Sequence, residues 1–235
     1  QAQSAIFLGD PSGNFQNRRL AQMDPSLVLP GETPRLIDEW QEVPPIWDAV
    51  RYAVDKEGEK GRYLLSGSST PQYKGVMHSG TGRIATIHMS PMSLYESGDS
   101  AGAVSLKSLF EAGLEASQTG EVQISHLCRL IIRGGWPGNI DAPAGDEGLV
   151  PASYVEQVCN QDINRIDDKT RSTEKMTLLM RSLARNESTL ASVSTLRRDM
   201  LQFDDDTLSP DTVADYLDVL YRLFTIYDQP AFNPN

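Results

Sequence analysis

Two adjacent carboxylates close the short apolar run Leu36-Ile37-Asp38-Glu39, and they are the residues of this sequence best placed to do chemistry. A buried strand that delivers acids to its end presents one carboxylate to a cation and the next to a water. Nucleoside triphosphate hydrolysis uses such a pair, an Asp in the magnesium shell and a Glu that orients the attacking water. A strand that ends in acids merely because it emerges into solvent reads the same way, so its neighbours must be read with it. The next apolar run, 62–65, ends in Ser66-Gly67-Ser68, small polar groups at the sheet edge where open α/β sheets bind ligands. Downstream, Gly80-Thr81-Gly82-Arg83 sets one arginine after a glycine-rich loop, as a phosphate clamp or as a plain strand-edge charge. His78, His88 and His126 are scattered, and Cys128 and Cys159 lack a ligand spacing, so no zinc site is expected.

The elements that must hold these groups alternate in the first half. Strands are expected at 5–8, 35–39, 62–65 and 83–89, with a loop or surface helix at 12–23 and a helix from Pro44-Pro45 to about residue 56, apolar at Ile46, Trp47, Val50 and Val54. Strand, helix and strand, each ending in small polar residues, predict an α/β layer with a largely parallel sheet. From about residue 105 the pattern turns helical, with helices at 105–113, 122–133, 151–163, 173–186, 190–201 and 210–224. The 122–133 helix carries Ile124, Leu127, Cys128 and Ile131 on one stripe and stops at Gly134-Gly135-Trp136-Pro137-Gly138. Ser209-Pro210-Asp211 opens the last helix with a cap, a proline at the first position and an acid on the dipole. Residues 225–227 read as a short strand after it.

Composition bounds the function. The 235 residues hold 21 Lys and Arg against 32 Asp and Glu, a net charge of -11 that repels phosphate backbones. No apolar stretch approaches the roughly 18 residues that span a bilayer, and Gln1-Ala2-Gln3-Ser4 shows no signal-peptide pattern. Two cysteines in apolar helical patterns read as buried thiols in a reducing cytosol. A cytoplasmic protein is expected, with no membrane contact.

Thr33-Pro34-Arg35-Leu36-Ile37-Asp38-Glu39-Trp40-Gln41 resembles the Walker B segment of a family of prokaryotic AAA-type ATPases whose core is followed by a nuclease-like domain of unknown function. So does the order Leu64-Leu65-Ser66-Gly67-Ser68, then His78-Ser79-Gly80-Thr81-Gly82-Arg83, then Ser90-Pro91-Met92-Ser93-Leu94-Tyr95-Glu96-Ser97. The likeness runs on through Gly134-Gly135-Trp136-Pro137 and Tyr154-Val155 to Asp228-Gln229-Pro230-Ala231-Phe232. The resemblance implies a partial parallel P-loop sheet in 1–104, a helical lid or linker in 105–172 and a winged-helix-like unit in 173–235. It implies ATP and Mg2+ as cofactors, Asp38 as the magnesium-shell acid and Glu39 as the water-orienting acid. Ser66 or Ser68 falls at the sensor position, and Arg83 is a candidate arginine finger. Gly135-Trp136-Pro137 is similar to a base-contacting turn, or is a helix terminator and nothing more.

One departure is large: no G-x-x-x-x-G-K-S/T occurs in these residues, and the family's loop is expected upstream of the 5–8 strand. The chain is also expected to stop before most of the nuclease-like domain. Two functions therefore stand: the Walker B half and lid of an ATPase that acts when its P-loop is present, or a non-catalytic module that docks another protein or a second copy. On the last helix, Val213, Leu217, Leu220 and Phe224 form a core stripe, and Asp211, Asp215 and Asp218 an acidic face, which argues for a lid or protein contact over DNA binding.

Overall fold

Three short apolar runs, each stopped by glycine, proline or polar residues, form β1 (Ser4–Phe7), β2 (Arg35–Asp38) and β3 (Tyr63–Ser66). They pair in parallel in the order β1-β2-β3, with Ile6, Ile37 and Leu65 in one row and Phe7, Asp38 and Ser66 in the next. Parallel neighbours need a crossover. The first is α1 (Ser12–Met23) with a 3-10 turn at Pro25–Val28; the second is a 3-10 turn at Trp40–Glu42 with α2 (Ile46–Glu57). The computed structural model describes residues 1–69, 81–111, 120–167, 169–202 and 208–230.

The stretch 12–23 is therefore a helix, although Gly13, Asn14 and Phe15 in its first turn are left-handed. Leu8, Ala21, Ile37 and Ile46 are fully buried and form a core with Val28, Val43 and Val50, against which Trp40 packs. Side chains alternate across a strand, so Ile6, Ile37 and Leu65 enter this core while Phe7, Asp38 and Ser66 take the other face.

The chain packs as two compact units, one of residues 1–86 with 159–235 and one of residues 87–158. The first also holds α6 (Thr173–Arg185), α7 (Val193–Met200) and α8 (Pro210–Arg222). Each begins at a serine, Ser172, Ser192 or Ser209, whose hydroxyl accepts from the backbone three residues on. The segment before α6 is pinned to α8 by Arg171, whose side chain is 2% exposed. Its guanidinium grips both oxygens of Asp167 at 2.8 and 2.9 Å and donates to Asp215 at 2.9 Å and to the Ile163 carbonyl at 2.9 Å.

The second unit holds α3 (Leu106–Glu111), α4 (Ile124–Arg133) and most of α5 (Leu149–Asn160). Gly134, at positive φ, ends α4, and Met92 donates its backbone N–H to the Gly135 carbonyl at 2.7 Å. A Cβ on Gly135 would fall 2.2 Å from the Met92 carbonyl oxygen. The Ser-Pro-Met-Ser run and the Gly-Gly-Trp-Pro turn thus touch each other through glycine.

Residues 84–89 form no strand: Ile87 and Met89 are 87% and 93% exposed, and no described strand pairs with them. Residues 225–227 are not a strand either, so α6 to α8 carry no wing among the described residues. The α4 stripe faces solvent, with Ile124 and Ile131 78% and 80% exposed and Cys128 exposed as well. On α8 the buried positions are Val213, Tyr216, Val219 and Leu220, while Phe224 lies beyond the helix at positive φ and half exposed. Asp215 is no free surface acid, because it holds Arg171 and Lys169. The glycine-rich stretch 75–80 and the acidic 204–206 run lie outside the described residues.

Candidate functional site

The carboxyl ends of the three strands collect the groups of interest. Asp38 ends β2 beside Ser66 at the end of β3, and the Ser66 hydroxyl donates to Asp38 Oδ1 at 2.6 Å. The Asp38 carbonyl accepts from the Leu8 N–H at 3.2 Å, which ties the end of β1 to the same edge. Immediately after Asp38 the chain turns through Glu39, which adopts left-handed backbone angles (φ 55°, ψ 41°) and starts the Trp40–Glu42 turn. A non-glycine residue in that region is uncommon and marks a position that its surroundings hold.

The turn separates the two acids. Asp38 stays in the sheet row, aligned with Ser66, whereas Glu39 leaves the strand and leads into the Trp40–Glu42 turn. The Gln41 carboxamide donates to Glu39 Oε2, and Ser68 lies within 3.5 Å of the same oxygen and 3.4 Å from Gln41 Nε2. Ser66 and Ser68 are thus each associated with a different acid. A Cβ on Gly9, after β1, would come 3.7 Å from Glu39 Cγ, so the Gly9-Asp10 turn flanks the pair. Asp10 accepts from the Ser12 N–H at 2.9 Å, and that bond holds its carboxyl below the usual range.

Arg83 is not brought to this edge. Its Nε donates to Asp55 at 2.8 Å, a bond that lowers the Asp55 carboxyl and raises the guanidinium. Asp55 lies nine residues into α2, about 13 Å along its axis at the usual rise per residue. A crossover helix runs antiparallel to the strands it joins, so this pair sits toward the amino end of the sheet, opposite Asp38. Trp136 and Pro137 belong to the second unit. There the Trp136 ring packs on Tyr154 with centroids 4.6 Å apart, and Pro137 opens a short 3-10 turn.

The donor set suits a magnesium ion with a phosphate. Mg2+ keeps several waters and takes one or two carboxylates plus substrate oxygens, so Asp38 with the Ser66 hydroxyl beside it is a sufficient protein contribution. Among the described residues no group of three or more His, Cys, Asp or Glu side chains could form a metal cage, and none is needed for such a site. The fold brings both acids and both serines to one edge and adds Gln41, which the sequence does not single out. Its only signal was its place two residues after Glu39 in a turn short enough to fold its side chain back.

Among the described residues no helix is long and apolar enough to cross a membrane. No curated protein and no solved structure matches the chain. Residues 124–235 match the model described as a domain of unknown function (DUF8612). Residues 10–98, the stretch that contains Asp38, Glu39, Ser66, Ser68 and Arg83, match the model described as an AAA domain, which supports an AAA-type, P-loop ATPase-like family.

Proposed function

We propose that the carboxyl edge of the sheet is the magnesium side of an ATPase active site. Asp38 holds the cation, Glu39 orients the attacking water, and Ser66 and Ser68 are polar groups facing the terminal phosphate. The single observation that carries this reading is the split of the two acids: Asp38 lies in register with Ser66, while Glu39 is turned away from the strand by its left-handed backbone. One carboxylate can then serve a cation while the other stays available to a water. Bound Mg2+ would supply positive charge to the phosphate oxygens.

Arg83, tied to Asp55, has no part at this edge.

The test uses protein that carries the P-loop, with Mn2+ as a paramagnetic substitute for Mg2+ in the presence of ATP, read by line broadening in amide NMR spectra. Broadening is expected first around Ile37, Asp38, Glu39, Ser66 and Ser68, and Asp38→Asn should remove it there. Broadening spread over the many surface acids, insensitive to Asp38→Asn, would overturn the ATPase reading and favour a non-catalytic interaction module.

A further inference from the structure

Gln41 is a polar group at this edge that the proposed chemistry leaves without a role. Its side chain folds back from the Trp40–Glu42 turn, and Nε2 donates to Glu39 Oε2. The same nitrogen is 3.4 Å from the Ser68 hydroxyl, a long contact that adds direction more than strength. Its oxygen, Oε1, is shielded from solvent and accepts no hydrogen bond among the described residues. That oxygen is packed against Gly67, where an added Cβ would fall 2.2 Å from it. A buried, unpaired carbonyl oxygen costs free energy, so the amide is kept in this orientation by what its nitrogen gains. The other orientation would set a carbonyl oxygen against the Glu39 carboxylate.

We infer that Gln41 is a positioning residue for Glu39: its amide nitrogen fixes Oε2, so that Oε1 is the oxygen presented to the attacking water. A glutamate side chain has three rotatable bonds, and loss of a fixed orientation lowers the share of productive geometries. Gln41 touches neither the cation nor the water and acts only through Glu39. Gly67 is part of the device, because any larger residue there displaces the carboxamide. This inference rests on Glu39 being the water-orienting acid, whereas the clamp itself does not.

The clamp and its consequence are therefore tested separately. In NMR spectra of the full chain, the Gln41 side-chain amide signals should move on Glu39→Gln and hold still on Asp55→Asn; insensitivity to Glu39→Gln would overturn the clamp. For the consequence, Mg2+-dependent ATP hydrolysis is compared in protein that carries the P-loop. Gln41→Ala should lower kcat by roughly 10-fold to 10²-fold, the scale of a small misplacement in an active site, with KM within about twofold. Gly67→Ala leaves residue 41 intact but moves its amide, and should show the same split. Full kcat in both variants, alongside loss in Glu39→Gln, would overturn the positioning role. Full kcat in Glu39→Gln would instead overturn the hydrolytic assignment, and the amide signals would still decide the clamp.

Discussion

Asp38 and Glu39 are neighbours in the chain with different surroundings, and conservative changes should separate them. Asp38→Asn removes the anionic oxygen that a hard cation needs, so magnesium-dependent nucleotide binding should weaken. Glu39→Gln keeps shape and hydrogen bonding but loses the charge that polarises water. With the P-loop present, ATP should remain bound while hydrolysis falls by roughly 10²-fold or more; single-turnover assays with a parallel binding measurement check both. A third acid matters for stability alone. The Arg171 fork holds Asp167, 7% exposed, down to about 2 from an ordinary 3.8. A depressed carboxyl stabilises the fold above its unfolded value, and that contribution disappears as pH falls from about 4 toward 2. It is worth about 2 kcal/mol. Urea unfolding of the wild type and Asp167→Asn should differ by that order at pH 7, and the gap should narrow below pH 4. A gap that ignores pH would contradict the assignment. The acid pair was legible because residue types at a strand end report chemistry directly. Gln41 and Arg171 were not, because a folded-back amide and a buried fork depend on where the chain returns.

Elements were legible where a local pattern coincided with a partner. β1, β2 and β3 are short apolar runs that found each other, and Ser209-Pro210-Asp211 opens α8 as its residue types predict. Ser209→Ala should cost about 1 kcal/mol through the lost cap, measurable by thermal or urea unfolding. The 83–89 run alternates as well as any strand, but a strand is stabilised by its neighbour and not by its own pattern. The α4 stripe fails for a related reason: helical periodicity says which residues share a face, and packing decides whether that face is covered. The Gly134-Gly135-Trp136-Pro137 turn holds a constraint that its terminator pattern conceals. Gly135→Ala forces a carbon into the Met92 backbone, which cannot yield as a side chain would. It should destabilise the 87–158 unit by roughly 1–3 kcal/mol, the usual cost of overpacking, whereas Gly138→Ala, with open space around its Cβ, should be nearly neutral. Proteolysis of the two variants distinguishes them.

At the scale of the whole molecule, charge and the missing phosphate loop set the limits. Most of a P-loop enzyme's grip on ATP comes from loop amides and a lysine. The 235 residues hold no such motif, so calorimetry on these residues alone should find ATP binding weak or absent; low-micromolar affinity would contradict this.

The charges of the α6–α8 trio oppose a nucleic-acid-reading role. Asp211 and Asp218 stand exposed on α8, and Asp215 is committed to Arg171 and Lys169. Arg197 donates to the Leu208 carbonyl, which leaves Arg198 as the exposed member of the one adjacent basic pair. A helix entering a groove passes phosphates spaced about 1.7 Å apart along the duplex axis and needs cations there. With a net charge of -11 behind it, this helix meets those phosphates with repulsion. Duplex binding at low salt should therefore be undetectable at micromolar protein, for the wild type and for an Asp211→Asn, Asp218→Asn double variant alike. Asp215 is left intact, because its loss would unseat Arg171 and confuse folding with binding. A wild-type mobility shift that weakens steeply with added salt would show that the cations of α6 and α7 outweigh the acids of α8, and would restore a DNA-binding role.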